Sequence, residues 1–203
     1  MSAFTAEDFR LRALGHLPVA DLYGDYALNP GFEDRMKAAQ YQDAAVLIGL
    51  REQDGESRII LTQRTAHLAK HGGQVAFPGG KIDPQDASPE AAALREAHEE
   101  IGLDPGHVEI LGRLPDYLTG SGYRIKPVLA LVSTDAVFMP NPDEVEAVFE
   151  VPVSFLMTLD NYQRESRVWQ GIERHFYTMH YGNRFIWGVT AGIIRMMHER
   201  LYR

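Results

Sequence analysis

Phe77 to Leu103 reads FPGGKIDPQDASPEAAALREAHEEIGL, and the rest of the chain is interpreted outward from it. Pro78-Gly79-Gly80 predicts a tight turn whose missing side chains let another group approach the backbone closely. Ser88-Pro89-Glu90 predicts a helix start: Ser88 caps free amides, Pro89 suits the first helical position and Glu90 complements the positive end of the dipole. Ala91-Ala92-Ala93-Leu94 continues the helix, and Gly102 after Ile101 predicts a left-handed stop.

Within this helix Glu96, Glu99 and Glu100 are spaced i, i+3, i+4, which puts them on one face at about 100° per residue. Leu94, Ala97 and Ile101 fall on roughly the opposite face. Like charges at these spacings repel by about 0.2–0.5 kcal/mol per pair. The three acids also crowd the negative end of the helix dipole, where a cation is favoured by about 0.3–1 kcal/mol. Glutamates on a helix are ordinarily a solvated face. The alternative is a cage of oxygen ligands for a hard cation such as Mg²⁺, set beside a turn that permits close approach.

The surrounding pattern favours the second reading. Gly80, Asp86 and Arg95-Glu96-x-x-Glu99-Glu100-x-Gly102-Leu103 resemble the signature box of the Nudix hydrolases. That family cleaves diphosphates linked to a nucleoside with a divalent metal. Asp86 stands where Glu is usual, and one extra residue separates it from Arg95. Upstream, Leu61-Thr62-Gln63-Arg64-Thr65, Leu68, His71-Gly72 and Phe77-Pro78-Gly79-Gly80 resemble the additional motif of the coenzyme A pyrophosphatase branch. Asp83-Pro84-Gln85-Asp86, with the same extension, also matches that branch.

The resemblance implies a fold, a cofactor and a reaction. The fold is α+β, a Nudix-type α/β/α sandwich with a mixed central sheet and a catalytic loop-helix motif, occupying residues 1–203 as one domain. Glu96, Glu99 and Glu100 hold Mg²⁺ or Mn²⁺, Glu96 and Glu100 being the first pair, while Glu99 completes the cage or takes a proton from water. The Gly80 backbone carbonyl is a further donor, and Arg95 orients a carboxylate. Such enzymes often use another acid outside the box, for which Glu144 and Glu146 are the candidates. The expected reaction cuts coenzyme A to 3′,5′-ADP and 4′-phosphopantetheine. Another nucleoside diphosphate (ADP-ribose or NADH) and a non-catalytic nucleotide-binding regulator are the alternatives; the intact acidic triplet disfavours the last.

Bulk properties agree with a small-molecule enzyme. The 203 residues suit one domain with a substantial core, and 45% hydrophobic with 24% charged residues is ordinary for a globular chain. No apolar run approaches the roughly 20 residues of a membrane span. The first residues show no basic-then-apolar signal region, so cytoplasm is the expected location. Absence of cysteine excludes disulfides, thiolate metal sites and a cysteine nucleophile. A net charge of −8 with no basic stripe argues against a nucleic-acid partner. Phosphate recognition therefore rests on local cations and the metal.

Along the chain, residues 1–40 predict a helical extension, with Thr5 capping towards Asp8. Ala44–Leu50 and Arg58–Thr62 predict paired strands joined by a long, loose turn over Gln53–Ser57. Arg64, Lys70 and His71 on the following loop are expected to hold substrate phosphates. Tyr117 or Tyr123, in a glycine-containing loop, is a candidate to stack on adenine, the alternative being an amphipathic lid residue. Val108–Leu114 and Arg124–Val132 predict strands, Val153–Leu159 a short helix, Asn161–Met179 a polar hairpin, and residues 186–203 a terminal helix with Ile193, Ile194, Met197 and Leu201 on its apolar face.

Overall fold

The computed structural model describes residues 4–15, 22–68, 71–169 and 171–203. In chain order it contains α1 (Ala6–Gly15), β1 (Tyr23–Gly24), α2 (Glu33–Ala38), β2 (Gln42–Gln53), β3 (Glu56–Arg64), β4 (Val75–Ala76) and β5 (Gly79–Lys81). The box helix α3 (Pro89–Ile101) follows, then β6 (Val108–Arg113), β7 (Tyr117–Leu118), β8 (Tyr123–Val132), β9 (Val145–Pro152) and α4 (Val153–Leu156). The chain closes with β10 (Gln163–Trp169), β11 (Ile172–Tyr181), β12 (Arg184–Trp187) and α5 (Gly188–Met197).

The apolar run Ala44–Leu50 becomes the central strand. Over that run β2 pairs parallel with β8, from Gln42↔Tyr123 to Leu50↔Leu131. Its other edge takes β5 antiparallel at Ala44–Val46 and β3 antiparallel at Leu50–Gln53. The path β1-β7-β8-β2-β3-β4, with β6 on β8 and β9 on β3, makes a mixed nine-stranded sheet among the described residues. A strand buried on both faces explains why Ala45, Leu47, Ile48 and Leu50 are all inaccessible.

Strand alternation divides these side chains between two layers. Ala45, Leu47, Ile60, Val128 and Ala130 pack under Ala92, Ala93, Ala97 and Ile101 of α3. Ile48, Leu50, Ile59, Leu61 and Leu129 face the other way, towards Phe9 of α1, Leu156 of α4 and Ile193, Ile194 and Met197 of α5. The sheet thus lies between helices, the α/β/α layering expected. Against α5 rests a second antiparallel sheet, ordered β10-β11-β12. No helix among the described residues is long and apolar enough to cross a membrane.

Three expectations need correction. The turn after β2 is tight, not long: Gln53 pairs with Glu56, and Asp54 and Gly55 both have positive φ (53° and 76°). This is the mirror-image turn whose twist matches a two-residue hairpin, and Asp-Gly satisfies it. Residues 1–40 are not helical alone, because Tyr23-Gly24 joins the main sheet parallel to Tyr117-Leu118; residues 16–21 lie outside the described residues. The terminal helix starts at Gly188 rather than 186, since Arg184–Trp187 is drawn into pairing with β11. It ends in a wider π turn over His198–Tyr202.

Candidate active site

The box helix forms as its sequence requires. Ser88 caps it by accepting from Ala91 N at 3.2 Å, Pro89 takes the first position, and Gly102 ends it in the left-handed region at φ 65°. Its buried residues are Ala92, Ala93, Ala97, Glu100 and Ile101. Leu94 is only partly buried. The three glutamates therefore do not share one environment: Glu100 is 2% exposed, Glu96 is half-buried and Glu99 is at the surface.

Glu100 is the buried anchor. Its Oε1 accepts from Arg64 Nη1 at 3.0 Å, and its Oε2 accepts from Gly79 N at 2.9 Å. Arg64 is the last residue of β3 and Gly79 the first of β5, so one carboxylate joins the helix to two strands. The glycines are there for space. Gly79 has φ 149°, and a Cβ on it would lie 2.7 Å from Val46 Cα. A Cβ on Gly80 would lie 2.5 Å from Glu96 Cδ, so the second glycine makes room for a carboxylate.

Arg95 gathers the remaining acids. Its Nε and Nη2 donate to the two Asp86 oxygens, each at 3.0 Å, a bidentate fork. Its Nη1 donates to Glu96 at 3.0 Å and Glu99 at 3.1 Å, and Nη2 also reaches the Lys81 carbonyl at 3.1 Å. Asp86 is itself fixed by the Asp83 amide at 2.8 Å, and Arg95 holds its carboxyl below the usual range. Asp86 was not among the residues assigned to the site from sequence. The signal was its place in the box pattern, obscured because the shorter side chain stands one residue further from Arg95.

A register shift separates the two candidate acids outside the box. Between Gln63 and Arg64 the β3–β9 pairing moves from Ala147 to Val145, skipping Glu146, which stays exposed. This bulge re-aims the strand end. The loop before it is tied to the end of α3: Met139 N donates to Ile101 O at 2.7 Å and Asn141 N to Glu100 O at 2.9 Å. Thr65 N then donates to Glu144 O at 3.0 Å. Glu144 comes close enough for its charge to raise the proton affinity of both Glu96 and Glu100. Burial is the largest influence on Glu100, whose pKa is raised to about 7 against the pull of Gly79 and Arg64. Burial likewise raises Glu96.

Several sequence expectations change. The three box glutamates have different partners, and among the described residues no three His, Asp or Glu side chains already stand gathered in metal-holding geometry. Arg95 holds Glu96 and Glu99, whereas Arg64 and Gly79 hold Glu100. Arg64 is accordingly paired with a box carboxylate rather than free on a loop. Tyr117 is 3% exposed and donates to Asp25 Oδ1 at 2.9 Å, so it is a core residue with no face for a base. Tyr123 opens β8, and strand alternation sets it on the Ile125 side, away from α3. His71 lies exposed, with Nδ1 3.0 Å from Gln74 Oε1. Lys70 lies outside the described residues.

The donor set nonetheless suits a hard divalent cation, Mg²⁺ or Mn²⁺. Glu96, Glu100 and Glu144 offer only carboxylate oxygen, mutually repelling and partly desolvated, beside a turn cut back to glycine. Positive charge among them would relieve the repulsion that raises Glu96 and Glu100.

Comparison with known proteins adds an independent line. The NUDIX domain family matches residues 40–172. A relative from Escherichia coli strain K12, named "Uncharacterized Nudix hydrolase NudL", is 44% identical over 157 residues, covering 76% of this chain and 80% of the relative. Its namesake in Enterobacter sp. strain 638 is 45% identical over 156 residues, with the same coverage. Among solved structures, a Nudix hydrolase from M. smegmatis, RenU, matches 57% of this chain and 73% of that chain at 25% identity, with a TM-score of 0.49.

Two outcomes follow from this geometry. Gly80→Ala pushes only the mobile end of Glu96, so the protein should unfold at nearly the same temperature while metal-dependent turnover falls roughly 10–100-fold. Unchanged turnover would show that Glu96 does not work from its place against Gly80. The second concerns pH. A folded pKa raised above the usual value favours folding while Glu100 is protonated. Its contribution is complete below about 4.5 and lost as pH rises through about 7. In chelator, urea unfolding should show wild type losing on the order of 3 kcal/mol relative to Glu100→Gln over that window. A constant difference between the two proteins would refute the burial account of Glu100.

Proposed function

The chain belongs to the NUDIX domain family and is a Nudix hydrolase, and from that premise we propose that it cleaves the diphosphate of coenzyme A into 3′,5′-ADP and 4′-phosphopantetheine. What supports this substrate is the segment Leu61–Gly80, which resembles the coenzyme A branch and is built into the acid cluster. Arg64 holds Glu100. Thr65 holds the Glu144 backbone. Gly79 closes on Glu100 from the other end of the segment. A substrate group that touched this segment would therefore lie beside the reacting carboxylates.

The reaction is attack of water on a phosphorus of the diphosphate, with the bridging oxygen leaving on the other phosphate. Its demands are positioning and neutralisation of charge. Glu96, Glu100 and Glu144 would hold a divalent cation, Mg²⁺ or Mn²⁺, which when bound would supply neutralisation of the phosphate oxygens and acidify water. Arg95 keeps Glu96 oriented through its fork on Asp86, the usual way an outer partner fixes a ligand. Glu99, exposed and on the same guanidinium, is the carboxylate open to solvent that accepts the water's proton. Arg64 commits one N–H to Glu100, and its planar fork retains donors for a phosphate oxygen. His71, exposed on the next loop, adds a further phosphate contact.

Two measurements test the proposal. Glu100→Gln is expected to stay folded and to lose on the order of 10²-fold or more of its turnover at saturating Mg²⁺, the scale at which a catalytic carboxylate acts. Near-wild-type turnover would remove Glu100 from the mechanism. Product analysis with coenzyme A, ADP-ribose, NADH and nucleoside triphosphates side by side should give the highest kcat/KM for coenzyme A. A clear preference for another of these would defeat the substrate and leave the hydrolase intact.

A further inference from the structure

The small sheet ends in an open edge. β10 pairs with β11 alone, in the order β10-β11-β12, and along Gln163–Trp169 every residue but Glu165 is exposed. Which backbone groups face outward is fixed by Asn29. Its side chain accepts from His175 N at 2.9 Å and donates to His175 O at 2.9 Å, on the β12 side of β11. The backbone groups of His175 therefore point away from β10, and its partner Ser166 makes no ladder bonds there. By alternation, the N–H and C=O of Arg164, Ser166 and Val168 point into solvent along the open edge.

An exposed edge of this kind is a template for another strand, and isolated charges usually guard it. Here the charges do not guard against a copy of the same strand. Antiparallel pairing of two β10 strands about Ser166 sets Glu165 opposite Arg167, and Arg167 opposite Glu165. It sets Arg164 opposite Val168, with the arginine stem over an apolar side chain. Opposite residues share a face in an antiparallel pair. Glu165 and Arg167 lie on the face where Arg167 sits over Trp187 at 5.1 Å and Phe176 at 5.8 Å. At the strand end Val168 is 72% and Trp169 63% exposed, large apolar surface that the second copy would cover.

We propose that the open edge of β10 is a dimer interface, on which a second copy of this chain pairs antiparallel about Ser166 so that the small sheet runs unbroken through both copies. The contact is isologous, so it closes and does not propagate into a fibre. It also accounts for an edge that is polar in composition but not defended by proline or a single sign of charge. The catalytic cluster takes no residue from this surface, so pairing and hydrolysis are separable.

The test is mass by light scattering across a concentration series, with circular dichroism and diphosphate hydrolysis as controls of fold. Wild type should approach the mass of two chains. Arg167→Glu places like charges opposite each other and should give the mass of one chain. Adding Glu165→Arg to it restores opposite charges and should restore the dimer. Ser166→Pro removes the central outward N–H and should also give one chain while hydrolysis persists. A wild type with the mass of one chain at every concentration would overturn the proposal. So would a dimer that survives both Arg167→Glu and Ser166→Pro.

Discussion

One buried carboxylate organises the catalytic end of this molecule. Glu100 is buried at the end of α3, where an unpaired charge would cost several kcal/mol. It is tolerated because Arg64 and the Gly79 amide, at 3.0 and 2.9 Å, come from two different strands to meet it. Those bonds lock the helix to the sheet edge and bring the glycine turn against the helix. They also leave the group strained electrostatically, since Glu96 and Glu144 still act to raise its pKa. The site is held together and left short of positive charge by the same residue.

The remaining acids are distributed around that anchor partly by an arginine and partly by the backbone. Arg95 collects Asp86, Glu96 and Glu99. Glu144 arrives through the loop bonded to the end of α3 and through the Thr65 amide, after a bulge that turns Glu146 outward. Two arginines thus partition carboxylates that would otherwise repel without compensation. A divalent cation placed among these carboxylates would compete with the arginines for oxygen and relieve their crowding.

Local chemistry was legible in the sequence where one residue type answers one need. The caps of α3, the close-approach glycines and the strand character of Ala44–Leu50 all follow from such needs. Reading Glu96, Glu99 and Glu100 as one face was too coarse. A face spanning a helix edge separates into buried and exposed members, and only packing of Ala92, Ala93 and Ala97 decides which. That Glu144 stands near Glu96 and Glu100 while Glu146 stays exposed depends on a register shift between strands far apart in sequence, which no local pattern encodes. Tyr117 failed as a base-stacking residue because its partner, Asp25, lies 92 positions away. The tight Asp54-Gly55 turn, in contrast, was written locally and needed only its two positive-φ residues to be recognised.

The central claim is that Glu96, Glu100 and Glu144 together receive a divalent cation. Anomalous diffraction from crystals grown with Mn²⁺ tests it most directly. The account predicts a manganese peak bonded to carboxylate oxygens of all three residues, with Arg95 still forked on Asp86. A peak elsewhere, or none while Glu100 remains against Arg64 and Gly79, would contradict it.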